Sequence, residues 1–279
     1  MPDEDPHTDG LSEKETEDAD SVIDPEWWKH IFDSIYLLTD ARSVCDERLT
    51  RAETDLMESF LQVGRHEPVL DLCGGQGRHS LEMARRGYKH ITTLDYSAYL
   101  LGLGKQSNDS RVRFVRADAR SLPFDRNSYR AVAIMACSFG YFPEDYENTA
   151  VLREAYRVLT PGGILLIDIP DGEKALKQMA ENTWHEAKQD VFVLRKRKPR
   201  SGGIAVCELV VSREKGLIRE SNYFEKLYSA SQIRSLVSAA GFRAVKVYQG
   251  LKRICKERDL GFMSSRMIVT ARKYKRPAK

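Results

Sequence analysis

A short apolar run that leads directly into a glycine-rich turn is the segment of this sequence best suited to bind a ligand. Val69–Leu72 is predicted as a strand, residues 73–77 contain three glycines, and residues 78–86 are predicted as a helix that ends at Gly87. Glycines at such a turn permit unusual backbone angles and a close approach of a ligand to the main chain. The first turn of the following helix offers free N–H groups. The segment is a candidate binding loop, although many sheets use such turns only structurally.

An acidic residue after the next strand adds to this candidate site. Ile91–Leu94 is predicted as the second strand, and Asp95 ends it, eighteen residues after Gly77. A carboxylate at this spacing is placed to accept hydrogen bonds from both hydroxyls of a ribose. Several classes of dinucleotide enzyme share this much, so the rest of the chain must separate the options.

Four segments in order along the chain resemble the motifs of the class I S-adenosylmethionine-dependent methyltransferases. The first is residues 71–77, in which Cys73 stands where the family usually has a glycine. Asp95 matches the acid that binds ribose in that family, and residues 117–119 resemble the segment that contacts adenine. Residues 157–163 are similar to the turn before the family's fifth strand.

This resemblance, which covers roughly residues 65–275, implies a fold and a cofactor. The fold is α/β, with a doubly wound, seven-stranded, mostly parallel Rossmann-like sheet whose last strand is inserted between the fifth and the sixth. The cofactor is S-adenosylmethionine and its product S-adenosylhomocysteine. No metal is implied, because a sulfonium methyl needs only an in-line nucleophile, while the protein supplies binding and orientation. The residues implied to bind the cofactor are Asp71, Cys73, Gly74, Gly75, Gly77, Asp95, Tyr96, Asp118, Ala119, Ala136, Cys137, Tyr36 and Thr50.

The segment that follows the fourth strand is where the methyl acceptor is expected. Residues 136–142 lack the Pro-Pro-aromatic motif of enzymes that methylate exocyclic amines of nucleobases, and they lack the Pro-Cys nucleophile of cytosine C5 enzymes. Residues 138–142, together with residues 76–79, resemble a small-molecule-type subgroup (methyltransferase domain 11 or 25). The resemblance implies in-line transfer of a methyl group to a nitrogen, oxygen or carbon atom of a small molecule.

Tyr141 and His79 are the candidate catalytic residues. Tyr141 would shape the acceptor pocket or simply pack, and His79 would orient the cofactor, activate the acceptor or serve as a hydrogen-bonded structural residue. Cys137 follows an alanine, which favours a buried small residue over a nucleophile. The predicted acceptor pocket consists of Trp28, Ser138, Phe139, Tyr141 and His185.

Strand and helix signals alternate through the core, which predicts a parallel sheet covered on both faces. Ser97, and either Ser229 or Ser231, are predicted helix caps. A helix is predicted over residues 144–158. The remaining predicted core strands are Val112–Val115, Ala131–Ala136, Ile164–Ile169, Phe242–Val247 and Met267–Ala271, and the strands of an antiparallel insertion are Val191–Leu194, Ile204–Val211 and Leu217–Leu227.

These signals divide the chain into five regions. The first is almost free of large apolar side chains and is predicted to be disordered. In the second, one continuous aromatic helix after Pro25 and another that ends near Gly64 form a cap, either as plain core or as a lid over the cofactor. The insertion is predicted to be a substrate lid. The regions are the acidic tail 1–24, the helical cap 25–64, the cofactor-binding core 65–183, the insertion 184–228 and the rest of the core with a basic tail, 229–279.

Composition narrows the class of protein. Of the 279 residues, 42% are hydrophobic and 30% are charged, which is the composition of an ordinary globular protein. The longest apolar runs are too short to span a bilayer, and the polar acidic start is unlike a targeting signal. Five cysteines with no C-x-x-C pair argue against a disulfide framework or a zinc site. The sequence thus predicts a cytoplasmic protein without membrane association, as a monomer or a homodimer.

The charge is unevenly distributed and leaves alternative functions open. Residues 1–24 carry ten acids and one lysine, a net charge of −9. Since the whole chain has a net charge of +3, residues 25–279 carry +12. Part of it lies in the basic runs 195–200 and 273–279. Such runs attract nucleic acid or form a solvated surface. An RNA methyltransferase, and a cofactor-binding protein without catalysis, are therefore the alternatives to a small-molecule enzyme.

Overall fold

The computed structural model describes residues 23–250 and 265–274, which form two sheets, eight α-helices and one 3₁₀ turn at Trp27–Lys29. The strands are β1 (Val69–Leu72), β2 (Ile91–Asp95), β3 (Val112–Arg116), β4 (Tyr129–Ile134), β5 (Leu159–Pro170), β6 (Asn182–Lys188), β7 (Val191–Arg200), β8 (Gly203–Ser212), β9 (Gly216–Lys226), β10 (Arg243–Tyr248) and β11 (Arg266–Arg272). The helices are α1 (Ser34–Thr39), α2 (Ala41–Val44), α3 (Glu47–Leu61), α4 (Arg78–Arg85), α5 (Ala98–Lys105), α6 (Asp145–Val158), α7 (Gly172–Gln178) and α8 (Ala230–Ala239).

The larger sheet has seven strands in the order β10-β11-β5-β4-β1-β2-β3. Strands β1 to β5 are mutually parallel, and β11 runs antiparallel to both of its neighbours, β5 and β10. This is the predicted doubly wound sheet, with the last strand inserted next to the fifth. The chain order reverses between β1 and β4, so a crevice opens at the carboxyl ends of these strands.

The central strand β1 is buried along its whole length because helices cover both faces of the sheet. All four residues of β1 are buried. On one face Leu70 and Leu72 join a large cluster that includes residues of α6 and α8. On the other face Val69 packs with Met57 and Met83, from α3 and α4. The sheet is therefore a rigid floor for whatever binds at its edge.

Side-chain caps fix the start of several helices. The Ser97 hydroxyl accepts a hydrogen bond from the Leu100 N–H at 3.1 Å, as predicted. Ser229, rather than Ser231, caps α8, and it forms a reciprocal capping box with Gln232.

The predicted continuous aromatic helix after Pro25 is wrong. The chain makes one 3₁₀ turn, breaks at residues 31–33 and restarts as α1. The break occurs at Asp33, whose extended backbone and carboxylate cap the N–H groups of Ile35 and Tyr36. An aspartate in this position competes with the helix for backbone donors, and apolar spacing alone does not reveal that competition.

Other boundaries also differ from the prediction. Helix α3 ends at Gln62, which adopts a left-handed backbone (φ 48°), before Gly64. Strand β4 ends at Ile134, and Ala136 and Cys137 turn away with φ of 54° and 62°. Helix α7 was not predicted.

The predicted insertion is a separate antiparallel sheet with the order β6-β7-β8-β9. It contains four strands, and it starts at Asn182. The additional strand β6 is mostly exposed and polar, so it lacks the apolar alternation that identifies the others. The basic run 195–200 lies inside β7, and Arg197 is buried.

The inner face of this second sheet carries ion pairs that bind it to the cap. Glu208 accepts from Arg195 Nε at 2.7 Å and from Arg219 at 3.2 Å. Arg195 also pairs with Asp40 at 3.0 Å, and Arg219 with Asp33 at 2.9 Å. Glu208 is therefore the shared anion between two guanidinium groups that hold the cap and the insertion together.

The acidic segment 1–22 and the run 275–279 lie outside the described residues, as does Cys255. Within the described part of the chain, none of the helices combines the length and the apolar character needed to cross a membrane.

We expect Glu208→Gln to lower the free energy of unfolding by about 3 kcal/mol, because it takes a buried shared anion from two partly buried guanidinium groups. Urea denaturation measures the change. Glu220→Gln is the matched control, because Glu220 is an exposed acid of the neighbouring strand β9. We expect it to change stability by less than about 0.5 kcal/mol. Equal effects of the two variants would contradict the shared-anion assignment.

Candidate functional site

A cavity of about 1000 Å³, measured out to its open mouth, lies at the carboxyl edge of the large sheet. The turn after β1, the end of β2, the segment after β3 and the loop after β4 form its walls, and aromatic residues of the cap cover it. Fifteen predicted site residues line it, namely Trp28, Tyr36, Asp71, Cys73, Gly74, Gly75, His79, Asp95, Tyr96, Asp118, Ala119, Ala136, Ser138, Phe139 and Tyr141.

The glycine-rich turn and Asp95 hold each other in place. Asp95 Oδ2 accepts the Gly75 N–H at 2.8 Å, and its Oδ1 accepts the Ser97 N–H at 2.8 Å. Burial raises the pKa of Asp95, while these backbone donors favour the ionised form. Each carboxylate oxygen still has lone pairs for further donors. Asp95 is thus both a support of the turn and an acceptor on the cavity wall.

Asp71 lies beneath the turn and excludes a side chain at Gly74. Its Oδ2 accepts the Ser80 hydroxyl at 2.7 Å, and Ser80 Oγ in turn accepts the Thr93 hydroxyl at 2.7 Å. A Cβ atom on Gly74 would lie 2.7 Å from this carboxylate and 2.8 Å from Thr93. A glycine is therefore required where the turn crosses the buried acid. Burial also raises the pKa of the Asp71 carboxyl group.

Cys73 occupies a backbone conformation that favours glycine. Its φ is +59°, in the left-handed region. This explains why a glycine would be suited to the position in the first motif. Burial raises the pKa of its thiol well above the usual range, with Asp95 and Asp71 adding to the effect. The thiol is therefore protonated at neutral pH and is not an activated nucleophile.

Asp118 is fixed by a cation that also packs on the aromatic wall. Arg120 makes a two-pronged ion pair with Asp118 (2.7 Å at the shorter contact) and reaches Glu147 at 2.6 Å. Its guanidinium lies 5.1 Å from the centre of the Trp28 ring and 4.6 Å from that of Phe142. Burial opposes ionisation of Asp118, but Arg120 outweighs it and lowers the pKa.

A chain of buried ion pairs runs under the cavity, and sequence reasoning missed most of it. Glu53 accepts from His79 Nε2 at 2.9 Å, from Arg78 at 2.5 Å and from Arg266 at 2.8 Å. Arg266 also pairs with Asp168 at 2.6 Å. Burial opposes ionisation of Glu53, but Arg78, His79 and Arg266 outweigh it and hold its pKa far below the usual range.

One sequence signal for Glu53 exists. It lies four residues from both Leu49 and Met57, on the buried stripe of α3, so an acid is placed where an apolar residue is expected. An acid in that position needs a buried cation as a partner. No local pattern identifies Arg266, which lies more than 200 residues further along the chain.

The predicted base His79 is almost fully buried, and its Nε2 is bound to Glu53. His79 borders the cavity while it takes part in the ion-pair chain, which supports its alternative interpretation as a structural residue. The backbone of Ala136 is also held from below, because its N–H donates to Asp168 Oδ2 at 3.1 Å. The chain of ion pairs therefore reaches the cavity wall after β4.

Four predicted site residues do not line the cavity. Thr50 faces Arg78, which donates to its hydroxyl at 3.0 Å. Gly77 begins α4 with a φ of +74°, and a Cβ there would lie 2.6 Å from Phe114. Cys137 turns back onto β5 and donates its N–H to the Asp168 carbonyl. His185 donates from Nε2 to the Thr39 carbonyl at 3.2 Å, so it joins the insertion to the cap.

Tyr141 belongs to an aromatic cluster on the side of the cavity toward the cap. Its ring stacks on Phe32 at 5.5 Å and meets the ring of Trp27 edge-on at 5.2 Å. Phe32 also contacts Tyr36 at 5.0 Å. Burial raises the pKa of the Tyr141 hydroxyl well above the usual range. It therefore stays protonated and can act as a hydrogen-bond donor.

Among residues 23–250 and 265–274, no group of three or more His, Cys, Asp and Glu side chains is arranged to hold a metal ion. The four cysteines in those ranges are free thiols.

Comparison with known proteins agrees with this geometry. Residues 69–163, which include the glycine-rich turn and Asp95, match a family model described as a methyltransferase domain. Over these residues the chain is similar to a methyltransferase domain. The predicted resemblance and the fold class are thereby confirmed.

Individual relatives match over limited lengths or at low identity. A demethylmenaquinone methyltransferase from Clavibacter sepedonicus is 42% identical over 103 residues, which cover 36% of this chain and 40% of that protein. The solved CcbJ methyltransferase from Streptomyces caelestis is 18% identical, with a TM-score of 0.65 over 81% of this chain and 89% of that one. CalS10, an amino pentose methyltransferase from Micromonospora echinaspora solved with SAM bound, is 17% identical, with a TM-score of 0.61 over 87% and 98%.

The two solved structures show the fold. The chain spans less than two thirds of the length of the curated relatives that it matches.

We expect Glu53→Gln to lower the free energy of unfolding at pH 7 by about 3–5 kcal/mol, because the variant leaves buried cations unpaired. Since the folded pKa of Glu53 lies below the unfolded value of about 4.3, its stabilisation is complete above about pH 5 and is lost as the pH falls. The difference between wild type and variant should therefore narrow at pH 3.5 in urea denaturation.

Asp55→Asn is the control, because Asp55 lies on the same helix and is 72% exposed. We expect it to cost less than about 1 kcal/mol. A Glu53→Gln effect that is the same at both pH values would contradict the buried ion-pair assignment.

Proposed function

We propose that this chain is an S-adenosylmethionine-dependent methyltransferase that methylates a nitrogen, oxygen or carbon atom of a small molecule by in-line displacement. The observation that carries the proposal is the cavity at the carboxyl edge of the sheet. There the glycine-rich turn, Asp95 and the Asp118 segment converge around a single space. The matched family model covers these same segments.

The lining of the cavity fits an adenosyl group. The carboxylate of Asp95 is at the wall with free lone pairs for ribose hydroxyls. Leu94, Leu100 and Ala117 provide an apolar surface beside it, suited to the face of an adenine ring. The turn at Gly74 and Gly75 lets the main chain approach a ligand closely. These residues would hold the cofactor, whose sulfonium methyl is the group transferred.

The protein's part in the chemistry is orientation and exclusion of water. The aromatic cluster at Phe32, Tyr36 and Tyr141 covers the cavity next to the loop after β4, where the acceptor is expected to bind. Holding two reactants in line supplies a large part of the rate acceleration without a strong base. We therefore assign Tyr141 to the acceptor pocket and His79 to structural support.

A small-molecule acceptor has support from the relatives. The Clavibacter relative is named for a demethylmenaquinone, and CalS10 for an amino pentose. The basic runs give less support to RNA than the sequence suggests. Arg195 and Arg197 face the inside of the second sheet, and the Lys273 ammonium is enclosed by Asn127 and the carbonyls of Arg157 and Leu159. These three cations stabilise the fold instead of facing an anionic partner.

Calorimetric titration with S-adenosylmethionine, S-adenosylhomocysteine and NAD tests the proposal. We expect micromolar binding of the two adenosyl ligands and no binding of NAD. Failure to bind either adenosyl ligand would contradict it. Binding followed by no turnover on any acceptor in a broad panel would favour a cofactor-binding protein without catalysis.

We expect Asp95→Ala to weaken S-adenosylmethionine binding at least tenfold, because it removes charge-assisted hydrogen bonds worth roughly 1.5–3 kcal/mol. Calorimetry on the folded variant measures the change. Asp125→Ala, which removes an exposed acid from the loop before β4, should leave the affinity unchanged. Unchanged affinity in a folded Asp95→Ala protein would refute the ribose assignment.

A further inference from the structure

The end of strand β9 is in direct contact with the cavity wall that carries Tyr141. The Lys226 N–H donates to the Gly140 carbonyl at 2.7 Å, and a Cβ on Gly140 would lie 2.7 Å from the Lys226 oxygen. Glu225, the residue before Lys226, is close enough that its charge contributes to the raised pKa of both Tyr141 and Cys137. The Glu225 carboxyl group therefore lies behind the acceptor end of the cavity.

Glu225 is a further acid on the inner face of the second sheet. Three guanidinium groups lie on this face, those of Arg195, Arg197 and Arg219, and three carboxylates pair with Arg195 and Arg219. These paired carboxylates are those of Asp33, Asp40 and Glu208. Glu225 is a fourth acid among these described residues, and its Oε2 is buried without a hydrogen-bond partner. Arg197 and Arg195 are the cations that favour its ionised form, but Oε2 can still accept a hydrogen bond.

The neighbouring aromatic rings supply a second feature that favours a cation. Tyr141, Phe32 and Tyr36 line the cavity with their rings in mutual contact, and Trp27 stands between Tyr141 and Tyr223 of β9 at 5.2 Å from each. Aromatic faces attract ammonium groups, most strongly where water is excluded. An aromatic wall with a buried acid behind it suits an organic amine, because an ammonium group is attracted by both.

We propose that Glu225 and the ring of Tyr141 bind the ammonium group of an amine acceptor, and that Glu225 takes up the proton which that nitrogen must lose. This inference rests on the proposed function and narrows its acceptor to an amine. The bound ammonium first gives one proton to Glu225 Oε2. The free lone pair on nitrogen then forms the new N–C bond as the C–S bond of the methyl donor breaks, and the bonding electrons remain on sulfur.

The environment of Glu225 suits a proton acceptor at neutral pH. Burial raises its pKa to about 7, against the effect of Arg197 and Arg195, while Asp40 and Glu208 add to the rise. The hydroxyls of Tyr141 and Tyr223 and the thiol of Cys137 are the other titratable groups nearby, and all three are protonated at neutral pH because their pKa values are raised. Glu225 is thus the group in this cluster whose charge changes near pH 7.

We expect the S-adenosylhomocysteine complex to bind cyclohexylamine, which is cationic at pH 8, at least tenfold more tightly than cyclohexanol. Glu225→Gln should remove this preference by weakening amine binding about tenfold, and it should leave cyclohexanol unaffected. The matched control is Glu220→Gln, on the same strand but exposed, which should behave as wild type. Titrations followed by NMR suit the millimolar affinities of such small probes.

A readout independent of any acceptor accompanies the titration. Because the folded pKa of Glu225 lies above the unfolded value of about 4.3, its ionisation destabilises the fold as the pH rises from about 4 through 7. We expect Glu225→Gln to raise the Tm at pH 8 by about 4 °C relative to wild type and to have a smaller effect at pH 5.

Equal amine affinity in wild type and Glu225→Gln, or no amine binding to the wild-type complex, would overturn the inference while leaving the methyltransferase proposal intact. A Tm difference that is the same at both pH values would also count against it. Failure to bind S-adenosylhomocysteine at all would refute the proposed function, and the inference would fall with it.

Discussion

The cavity depends on one buried carboxylate. Glu53 accepts hydrogen bonds from Arg78, His79 and Arg266, so it joins the cap helix α3 to α4 and to the last strand of the sheet. Arg266 also pairs with Asp168, which accepts a hydrogen bond from the Ala136 N–H in the segment after β4. Removing one partner from such a cluster leaves an uncompensated buried charge, which costs far more than a surface ion pair contributes. The shape of the cavity floor therefore depends on charge balance as much as on apolar packing.

The cap that covers the cavity is held in place by two kinds of contact, aromatic packing and ion pairs. The cap contributes aromatic rings toward the cavity and acids toward the second sheet, so its two sides are held by different forces. The acids Asp33 and Asp40 are fixed by arginines of the insertion, while Trp27 and Phe32 pack against Tyr141. Ion pairs set the register of the cap on the sheet, and ring contacts set its distance from the ligand space. An acceptor entering this region meets aromatic faces first and a buried acid behind them.

Sequence patterns predicted the large sheet, the glycine-rich turn and Asp95 because each depends on neighbours in the chain. A strand followed by glycines, or Ser97 before a helix, carries its own local signal. Arg266 and Glu225 carry no such signal, and Glu53 shows only as an acid on an apolar helix stripe, since the roles of all three arise from charges brought together by the fold. The same holds for the end of β4, where Ala136 takes a left-handed backbone because Asp168 captures its N–H. His185 was assigned to the acceptor pocket from its place in the insertion, but its contact is with the cap.

The joint between cap and insertion has a consequence for how the chain folds. Arg195 and Asp40 are 155 residues apart, and Arg219 and Asp33 are 186 apart. Contacts of such sequence separation close large loops and form slowly compared with the local pairing of β7, β8 and β9. The sheets can therefore assemble before the cap docks. The ligand space would then be enclosed only in the final stage of folding, and a chain arrested earlier would present its aromatic wall to solvent and be prone to aggregate.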